Sequence, residues 1–316
     1  MLAWGRAAST QLLSLVLSQS PERMELVDPL PEGILIDRYR IITPISRGGY
    51  AQVYLGADVE GRSVVIKEYL PAGLSYRSSG DVRVQILPGA RSRFLSGLRA
   101  FVIEAQALSQ FDHPNLVRGE GYVRANGTAY LVMRHEAGVP LHVWAAKRWR
   151  FHWQQQLWPI FDGVLSGLRH VHSKGYLHLD IKPGNIFVRD DGTGVLLDFG
   201  AARRRDHLRD STLRPVLTPG YAAPELHLNP QTVGPWSDIY SVGATVYACV
   251  TGSAPIRSDV RRASPGEDPL DWRGWRGAVR LKSVIDGCLA LDPNRRPASV
   301  LALHTNLRRV STGETT

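Results

Sequence analysis

The chain has 316 residues, 43% of them hydrophobic, which supports a folded core and excludes global disorder. Its formal net charge of +9 is compatible with a nucleic acid, an anionic membrane or a phosphate-rich ligand as partner. No long run of Lys and Arg accompanies this charge, so we interpret it as a solvated basic surface. Without a groove-reading element or an aromatic stacking platform, we expect no nucleic-acid partner.

Export and membrane insertion are also disfavoured. No stretch reaches the roughly 18 consecutive apolar residues of a membrane span, so we expect no integral membrane anchor. Residues 1–20 contain only a short apolar run and a poor cleavage signal for export. The two cysteines, Cys249 and Cys288, lie in apolar helical patterns without metal-ligand spacing, which predicts buried free thiols. Together these features favour a cytoplasmic location.

The first strands surround a glycine-containing hairpin. Residues 39–42 are typical of a strand, and residues 45–55 carry Gly48 and Gly49 between β-branched and aromatic residues. This pattern predicts a hairpin whose backbone lies close to a ligand. Residues 63–69 follow as a β-branched strand that contains Lys67.

A helix and the rest of a small sheet come next. Residues 71–93 form a turn-rich connection in which residues 82–86 could add a short strand. Apolar residues at helical spacing predict a helix over residues 94–111, and Glu104 lies within it. Asn126 and Gly127 then mark a hairpin turn. We therefore predict five strands and one helix in this part, with mainly helices after it.

The most informative stretch lies past the middle of the chain. A helical pattern over residues 151–174 leads to Asp180, Lys182 and Asn185. Pro159 is expected to kink this helix or to lie near its true start. Asp198 follows Asn185 by thirteen residues and is succeeded by Phe199 and Gly200. Phosphoryl transfer needs such parts: a carboxylate for the proton, a cation near the transferred group, and oxygen ligands for Mg²⁺.

These two segments resemble the catalytic loop and metal-binding segment of eukaryotic-type (Hanks-type) serine/threonine protein kinases. Residues 70–74, 126–130 and 217–221 are similar to the bacterial branch of that family. The resemblance implies an α+β, two-lobed protein kinase fold, with a small five-stranded antiparallel β lobe carrying one helix and a larger, mainly α-helical lobe. The implied organisation is a partly disordered tail (1–37), an ATP-covering lobe (38–136), a catalytic and substrate-binding lobe (137–310) and a short C-terminal tail (311–316).

The resemblance implies transfer of the ATP γ-phosphate to Ser or Thr hydroxyls of proteins, including the chain itself. Asp180 would accept the hydroxyl proton, and Lys182 would offset charge on the transferred group. Asn185 and Asp198 would bind Mg²⁺, or Mn²⁺ in its place. The nucleotide would lie between the lobes. The residues implied in ATP binding are Ile45, Gly48, Gly49, Val53, Val65, Lys67, Glu104, Met133, Arg134, His135, Glu136 and Phe187.

Within that set, Glu104 would pair with Lys67, which holds the α- and β-phosphates. Four further residues would have structural roles. Thr218 would bond Asp180 and Lys182, Asp238 would anchor the backbone of the catalytic loop, and Glu225 would form a buried ion pair with Arg296.

The chain departs from the family pattern in two places. Ser46 and Ala51 stand where the glycine-rich loop of the family has its first and third glycines. Leu179 stands where the catalytic loop has an arginine that binds an activation-loop phosphate. We therefore hypothesise that phosphorylation of Ser211 or Thr212 is not needed for activity.

Two other functions remain open at this point. The glycine-rich loop without its first and third glycines and the missing arginine would suit a pseudokinase that binds nucleotide as a scaffold. A scaffold, however, has no need of the catalytic residues that are present. A small-molecule phosphotransferase of related fold would share the loop and a metal aspartate, but it is not expected to keep Thr218, Glu225, Asp238 and Arg296 together. The sequence carries no signal for the physiological substrate, the upstream signal or the oligomeric state.

Overall fold

The computed structural model describes residues 29–147, 153–205, 217–228, 230–263, 270–272 and 279–314. These residues fold as two compact units. The first comprises the described residues up to Ser109 together with Arg118–His135. The second comprises Gln110–Val117 and the described residues from Glu136 onward.

The first unit is a sheet with one helix in its described part. The strands are β1 (Leu35–Ile36), β2 (Tyr39–Arg47), β3 (Ala51–Ala57), β4 (Ser63–Tyr69), β5 (Ser75–Tyr76), β6 (Gln85–Ile86), β7 (Gly119–Ala125) and β8 (Thr128–Arg134), and the helix is α1 (Arg91–Leu108). Six strands form one antiparallel sheet in the order β1-β2-β3-β4-β8-β7. Strands β5 and β6 pair with each other.

This sheet has one strand more than the predicted five. The extra strand is β1, which lies at the edge because Leu30 and Ile36 are buried in the same apolar cluster as Tyr54 and Ile66. The additional short strand expected in residues 82–86 is found as β6. Helix α1 begins and ends three residues before the predicted bounds of 94 and 111. It ends before Phe111 because that residue packs within the second unit against Tyr176 and Phe199.

The two faces of the sheet differ in burial along β4. Val64, Ile66 and Glu68 are buried, whereas Val65 and Lys67 alternate with them and are only half-buried. Because successive side chains of a strand point to opposite faces, the first three share the face of the apolar cluster. Val65 and Lys67 therefore lie on the other face of the sheet.

The second unit is mainly helical. Its described helices are α2 (Leu141–Ala146), α3 (Trp158–Ser173), α4 (Pro224–Leu228), α5 (Pro235–Thr251), α6 (Ser258–Ala263), α7 (Val279–Cys288) and α8 (Val300–Thr312). Its strands are β9 (Gly138–Pro140), β10 (Tyr176–Leu177), β11 (Ile186–Arg189), β12 (Gly194–Leu196) and β13 (Arg203–Arg204). Strands β12, β11 and β9 form one antiparallel sheet, and β10 pairs with β13.

Helices α3 and α5 form the centre of this unit. Helix α3 begins at Trp158 with Pro159 in its first turn, as predicted, and a single π-helical turn at Trp153–Leu157 precedes it. The predicted start at residue 151 lies outside the described residues. Helix α5 is buried on nearly all sides, which is typical of a helix inside a large core.

Both cysteines are buried and free, as predicted. Burial in apolar surroundings raises the pKa of the Cys249 and Cys288 thiols to about 12. Across the described ranges, none of the helices combines the length and apolar character needed to cross a bilayer.

Candidate active site

The loop around Asp180 is held by a buried carboxylate from helix α5. Asp238 accepts the backbone N–H of His178 at 2.9 Å and that of Leu179 at 2.7 Å. The ring of His172 donates to the same carboxylate at 2.7 Å. Burial alone would raise the pKa of Asp238, but its bonds to His172 and His178 and the charges of these groups lower it below the ordinary value. The ionised Asp238 therefore fixes the loop backbone just before Asp180.

Asp180 lies at the centre of a network of four side chains. Its Oδ2 accepts from Lys182 Nζ at 2.8 Å and from Asn185 Nδ2 at 2.9 Å, and its Oδ1 accepts from Thr218 Oγ1 at 2.7 Å. Lys182 Nζ also donates to Thr218 Oγ1 at 2.9 Å. A carboxylate has about four lone-pair sites, so these three bonds orient Asp180 while leaving it able to accept a further proton. The structure thus shows the bonds of Thr218 to Asp180 and Lys182 that the resemblance implied, and it adds a bond from Asn185 to Asp180.

Asp198 follows strand β12 and lies beside the backbone of Asn185. The N–H of Leu197 donates to the carbonyl of Asn185 at 2.8 Å, and Ile186 is paired with Leu196 in the β11–β12 ladder. Asp198 itself has a left-handed φ of 53°, and its Oδ1 accepts the Gly200 N–H at 3.2 Å. This hairpin therefore juxtaposes the chain positions of the two predicted metal ligands.

The donor chemistry of this pair suits a hard divalent cation. Asp198 offers carboxylate oxygens and Asn185 an amide oxygen, and oxygen ligands are what Mg²⁺ and Mn²⁺ prefer. No group of three or more His, Cys, Asp or Glu side chains able to hold a metal occurs in the part of the chain that the structure describes. A cation at Asp198 and Asn185 would therefore take further oxygens from phosphate groups or water, as Mg²⁺ usually does in phosphoryl-transfer sites.

In the first unit, Lys67 and Glu104 form an ion pair. Lys67 Nζ lies 2.9 Å from Glu104 Oε1, and their side chains are 16% and 6% exposed. Lys67 lies opposite Val53 and Leu131 in the sheet, and its ammonium is 5.9 Å from the centre of the Phe101 ring. The pair joins strand β4 to helix α1, so a cation is held at a fixed place on the half-buried face of the sheet.

That same face carries three apolar residues of the set implied in ATP binding: Val53, Val65 and Met133. Val53 is directly opposite Lys67, and Val65 is directly opposite Met133, so all four share one face. Ile45 lies at a register irregularity of β2, beside the Gly48–Gly49 bend, where Gly48 N–H donates to the Ala51 carbonyl at 2.9 Å. A half-buried apolar surface next to a lysine can accept a planar ring that carries an anionic group.

The remaining predicted ATP residues are distributed over both units. Arg134 ends strand β8 and His135 follows it in the first unit, both exposed. Glu136 and Phe187 belong to the second unit. There, Glu136 Oε2 is paired with Arg189 Nε at 2.8 Å, and Phe187 in β11 lies opposite Pro140 and Val195.

Glu225 and Arg296 form the predicted buried ion pair in two-point geometry. Arg296 Nη1 and Nη2 lie 2.7 and 3.0 Å from the two carboxylate oxygens. Ser237 also donates to Glu225 at 2.6 Å, and Arg296 donates to the carbonyl of Trp236 at 2.9 Å. The pair thereby ties helix α4 to the start of helix α5.

Sequence reasoning missed the partners of two buried carboxylates, Asp238 and Glu68. The sequence pattern places His172 only within a helix, although its ring bonds Asp238. It places Arg77 in a turn-rich connection, although Arg77 forms a fully buried ion pair with Glu68. For the second pair a signal existed, because Glu68 continues the alternation of Val64 and Ile66 on the buried face of β4.

Comparisons with known proteins identify the family of the chain. The protein kinase domain family matches residues 39–307. The chain is 29% identical over 289 residues to serine/threonine-protein kinase D of Synechocystis sp., covering 86% of this chain and 52% of that protein. It is 32% identical over 283 residues to the probable serine/threonine-protein kinase pknA2 of Bifidobacterium longum, covering 89% of this chain and 34% of that protein. The chain thus spans about half or less of these two relatives.

Among solved structures, the apo form of PpkA-294 shares the fold with a TM-score of 0.77 and 32% sequence identity, covering 88% of this chain and 99% of that one. This likeness confirms the predicted protein kinase fold, with the one additional edge strand described above. The chain therefore belongs to the protein kinase domain family, in its Hanks-type serine/threonine branch found in bacteria.

Proposed function

We propose that this chain is an active protein serine/threonine kinase that transfers the γ-phosphate of ATP to Ser and Thr hydroxyls of proteins. The observation that carries the proposal is the bonded set of Asp180, Lys182, Asn185 and Thr218. A proton acceptor beside a migrating phosphoryl group must be a carboxylate in a fixed orientation. Three donors, one of them a lysine, orient Asp180 in this way.

Each residue of this set has a separate role in the reaction. Asp180 orients the substrate hydroxyl and takes its proton while the hydroxyl oxygen bonds to the γ-phosphorus. The bond from that phosphorus to the β–γ bridging oxygen breaks, and ADP leaves with that oxygen. Lys182 offsets the charge of the transferred group. Thr218 bonds both Asp180 and Lys182 and so fixes the position of one relative to the other.

Nucleotide and metal binding use the remaining residues. The family uses ATP and a divalent metal generally, and we propose Mg²⁺ as the metal, held by Asp198 and Asn185 as hard oxygen ligands, with Mn²⁺ able to replace it. When bound, the metal neutralises phosphate charge. Lys67, held by Glu104, binds the α- and β-phosphates, and the apolar face around Val53, Val65 and Met133 receives adenine.

The retained residues support an enzyme over a pseudokinase scaffold. The described structure contains both the Lys67–Glu104 ion pair and the bonded Asp180 network. A scaffold that only binds nucleotide needs neither a proton acceptor nor a lysine beside it.

Radiolabel transfer from γ-labelled ATP, with Mg²⁺, to a generic protein such as casein and to the chain itself tests the proposal. Wild type is expected to label Ser and Thr, identified by phosphoamino-acid analysis. Asp180→Asn keeps the shape of the side chain but cannot accept the proton, so it is the matched control and should lose at least about a hundredfold in rate. Nucleotide binding by both proteins with no transfer by either would support the scaffold instead.

We also propose that the kinase acts in the cytoplasm, where ATP is abundant and thiols stay reduced. Buried, unpaired Cys249 and Cys288 suit that compartment. Cell fractionation with an antibody to the chain checks this, and recovery in an exported fraction would contradict it.

A further inference from the structure

The tip of the glycine-containing hairpin is bonded to the segment that follows strand β4. Beyond the last ladder pair, Ala51 with Tyr69, the N–H of Leu70 donates to the Tyr50 carbonyl at 3.0 Å. The N–H of Ala72 then donates to the Gly49 carbonyl at 2.8 Å. The main-chain bonds therefore continue to the tip itself, and residues 70–77, called here the anchor segment, run beside it.

A tight turn fixes the start of the anchor segment. The N–H of Leu74 donates to the Pro71 carbonyl at 3.2 Å, and both the N–H and the hydroxyl of Ser75 donate to the same oxygen at 3.1 and 3.2 Å. Pro71 and Ser75 are buried. Gly73, the third residue of this turn, has a φ of +71°, which is the pattern of a type II turn.

A buried ion pair fixes the other end of the segment. Arg77 and Glu68 have fully buried side chains that bond each other, and Glu68 also accepts the Tyr54 hydroxyl at 2.8 Å. Burial alone would lower the pKa of Arg77, but the Glu68 carboxylate beside it raises it, so the guanidinium stays charged. Because a buried charge is costly away from its partner, Arg77 has one favourable position.

We propose that the anchor segment is a positioning element for the glycine-containing hairpin, and that the bond from the backbone N–H of Ala72 to Gly49 is the contact that holds the outermost part of the tip. This inference rests on the proposed function, in which ATP binds beside Lys67, and it adds that the hairpin covers the phosphates of that ATP. A tip that is already held in place before the nucleotide binds loses less conformational entropy on binding. Its backbone N–H groups are also already oriented toward the phosphates. Such an anchor suits a hairpin in which Ser46 and Ala51 are paired strand residues.

Ala72→Pro removes the bond to the tip at little cost to the turn. Ala72 is exposed and is the second residue of the turn, a position where proline is common in type II turns. Proline has no N–H, so only the bond to Gly49 is lost. Ala72→Ser keeps the N–H and is the matched control. Val59→Pro places a proline in another exposed turn of the same unit, where the Gly61 N–H donates to the Asp58 carbonyl at 3.0 Å.

Hydrogen exchange on the full chain without nucleotide is the first measurement. Ala72→Pro should speed exchange of the Gly48 and Leu70 amides severalfold, because both bonds lie at the tip, whereas Ala72→Ser and Val59→Pro should match wild type. Unchanged exchange at these two amides in Ala72→Pro would overturn the inference.

Calorimetric affinities for ATP with Mg²⁺ and for adenosine are the second measurement. Loss of one bond that fixes the tip should weaken ATP binding by about three- to tenfold, the scale of one hydrogen bond, and leave adenosine within about twofold. Equal losses for both ligands, or none, would overturn the inference. If wild type binds no ATP, the proposed function fails, and the exchange measurement still decides whether Ala72 holds the tip.

Discussion

The backbone N–H of Leu179 donates to Asp238 Oδ1 at 2.7 Å, while the Leu179 side chain is only 5% exposed and packs with Leu177 and Val233. Ala201 and Leu226 pack against the same cluster. Leu179 takes a left-handed φ of 64°, which is uncommon for a residue of its type and persists because its surroundings hold it. At the position where the family has an arginine, the loop is thus held by a carboxylate and an apolar cluster.

Activity is expected to persist without phosphates on Ser211 and Thr212. Both residues lie outside the described part of the chain, but the arginine that would receive their phosphate is replaced by a buried leucine. The double variant Ser211→Ala/Thr212→Ala should keep kcat/KM within about tenfold of wild type, about 1.4 kcal/mol of barrier. Steady-state transfer to casein measures it, and a larger loss contradicts the hypothesis.

Restoring the arginine should destabilise the chain. Leu179→Arg places a charge in the cluster of Leu177, Val233 and their apolar neighbours, and an unpaired buried charge costs about 2–4 kcal/mol even after relaxation. Leu179→Met, of similar volume, should cost less than about 1.5 kcal/mol. Urea unfolding of both variants decides the matter; an arginine variant as stable as the methionine variant would mean that the guanidinium escapes to solvent.

The Thr218 hydroxyl is expected to affect turnover more than nucleotide binding. It donates to Asp180 and accepts from Lys182, so Thr218→Val keeps the volume but breaks both bonds. We expect kcat to fall by about ten- to a hundredfold with KM for ATP changed less than about threefold. Thr218→Ser restores the hydroxyl and should recover most of the rate. A parallel rise in KM for ATP would point to a general disturbance of the fold.

The contribution of Asp238 to stability should depend on pH. Its pKa in the folded chain lies below the ordinary value of 3.8 despite burial, because His172 and the loop backbone stabilise the ionised form. The stabilisation is therefore fully present above about pH 4 and is lost as the pH falls through the lower folded pKa. Asp238→Asn should cost about 2–4 kcal/mol at pH 7.

The measurement is urea unfolding of wild type and Asp238→Asn between pH 7 and the lowest pH at which both fold. The difference in the free energy of unfolding should be constant near neutrality and shrink on acidification. A difference that grows as the pH falls would have the wrong sign for an ionised Asp238.

The Glu225–Arg296 pair should show strong coupling in a double-mutant cycle. Both side chains are buried, so Arg296→Met leaves an unpaired carboxylate and should cost about 3–5 kcal/mol. In Glu225→Gln/Arg296→Met neither charge remains, and the double variant should be less destabilised than the sum of the single variants by about 1–3 kcal/mol. Chemical denaturation measures all three; simple additivity would show that the pair does not act as a unit.

Much of the site could be predicted because its chemistry depends on residue type and short spacing. The positions of Asp180, Lys182 and Asn185 follow from one loop, and a glycine after Asp198 permits the turn there. The pairing of Lys67 with Glu104 was also predicted, because the family that the sequence resembles pairs a strand lysine with a helix glutamate. Burial was harder to predict, and Arg77 shows why: nothing local distinguishes it from an exposed arginine in a turn-rich connection.

The sequence alone determined the family, and through that resemblance it implied the two-part architecture and the side chains around the proton acceptor, because the motifs that carry the resemblance can be identified from residue types and their spacing. Only the tertiary structure decided that Arg77 and Glu68 are buried as a pair, that residues 35 and 36 add an edge strand, and that Ala72 is bonded to the hairpin tip. The energy of such contacts depends on desolvation and packing, which no single stretch of residues encodes.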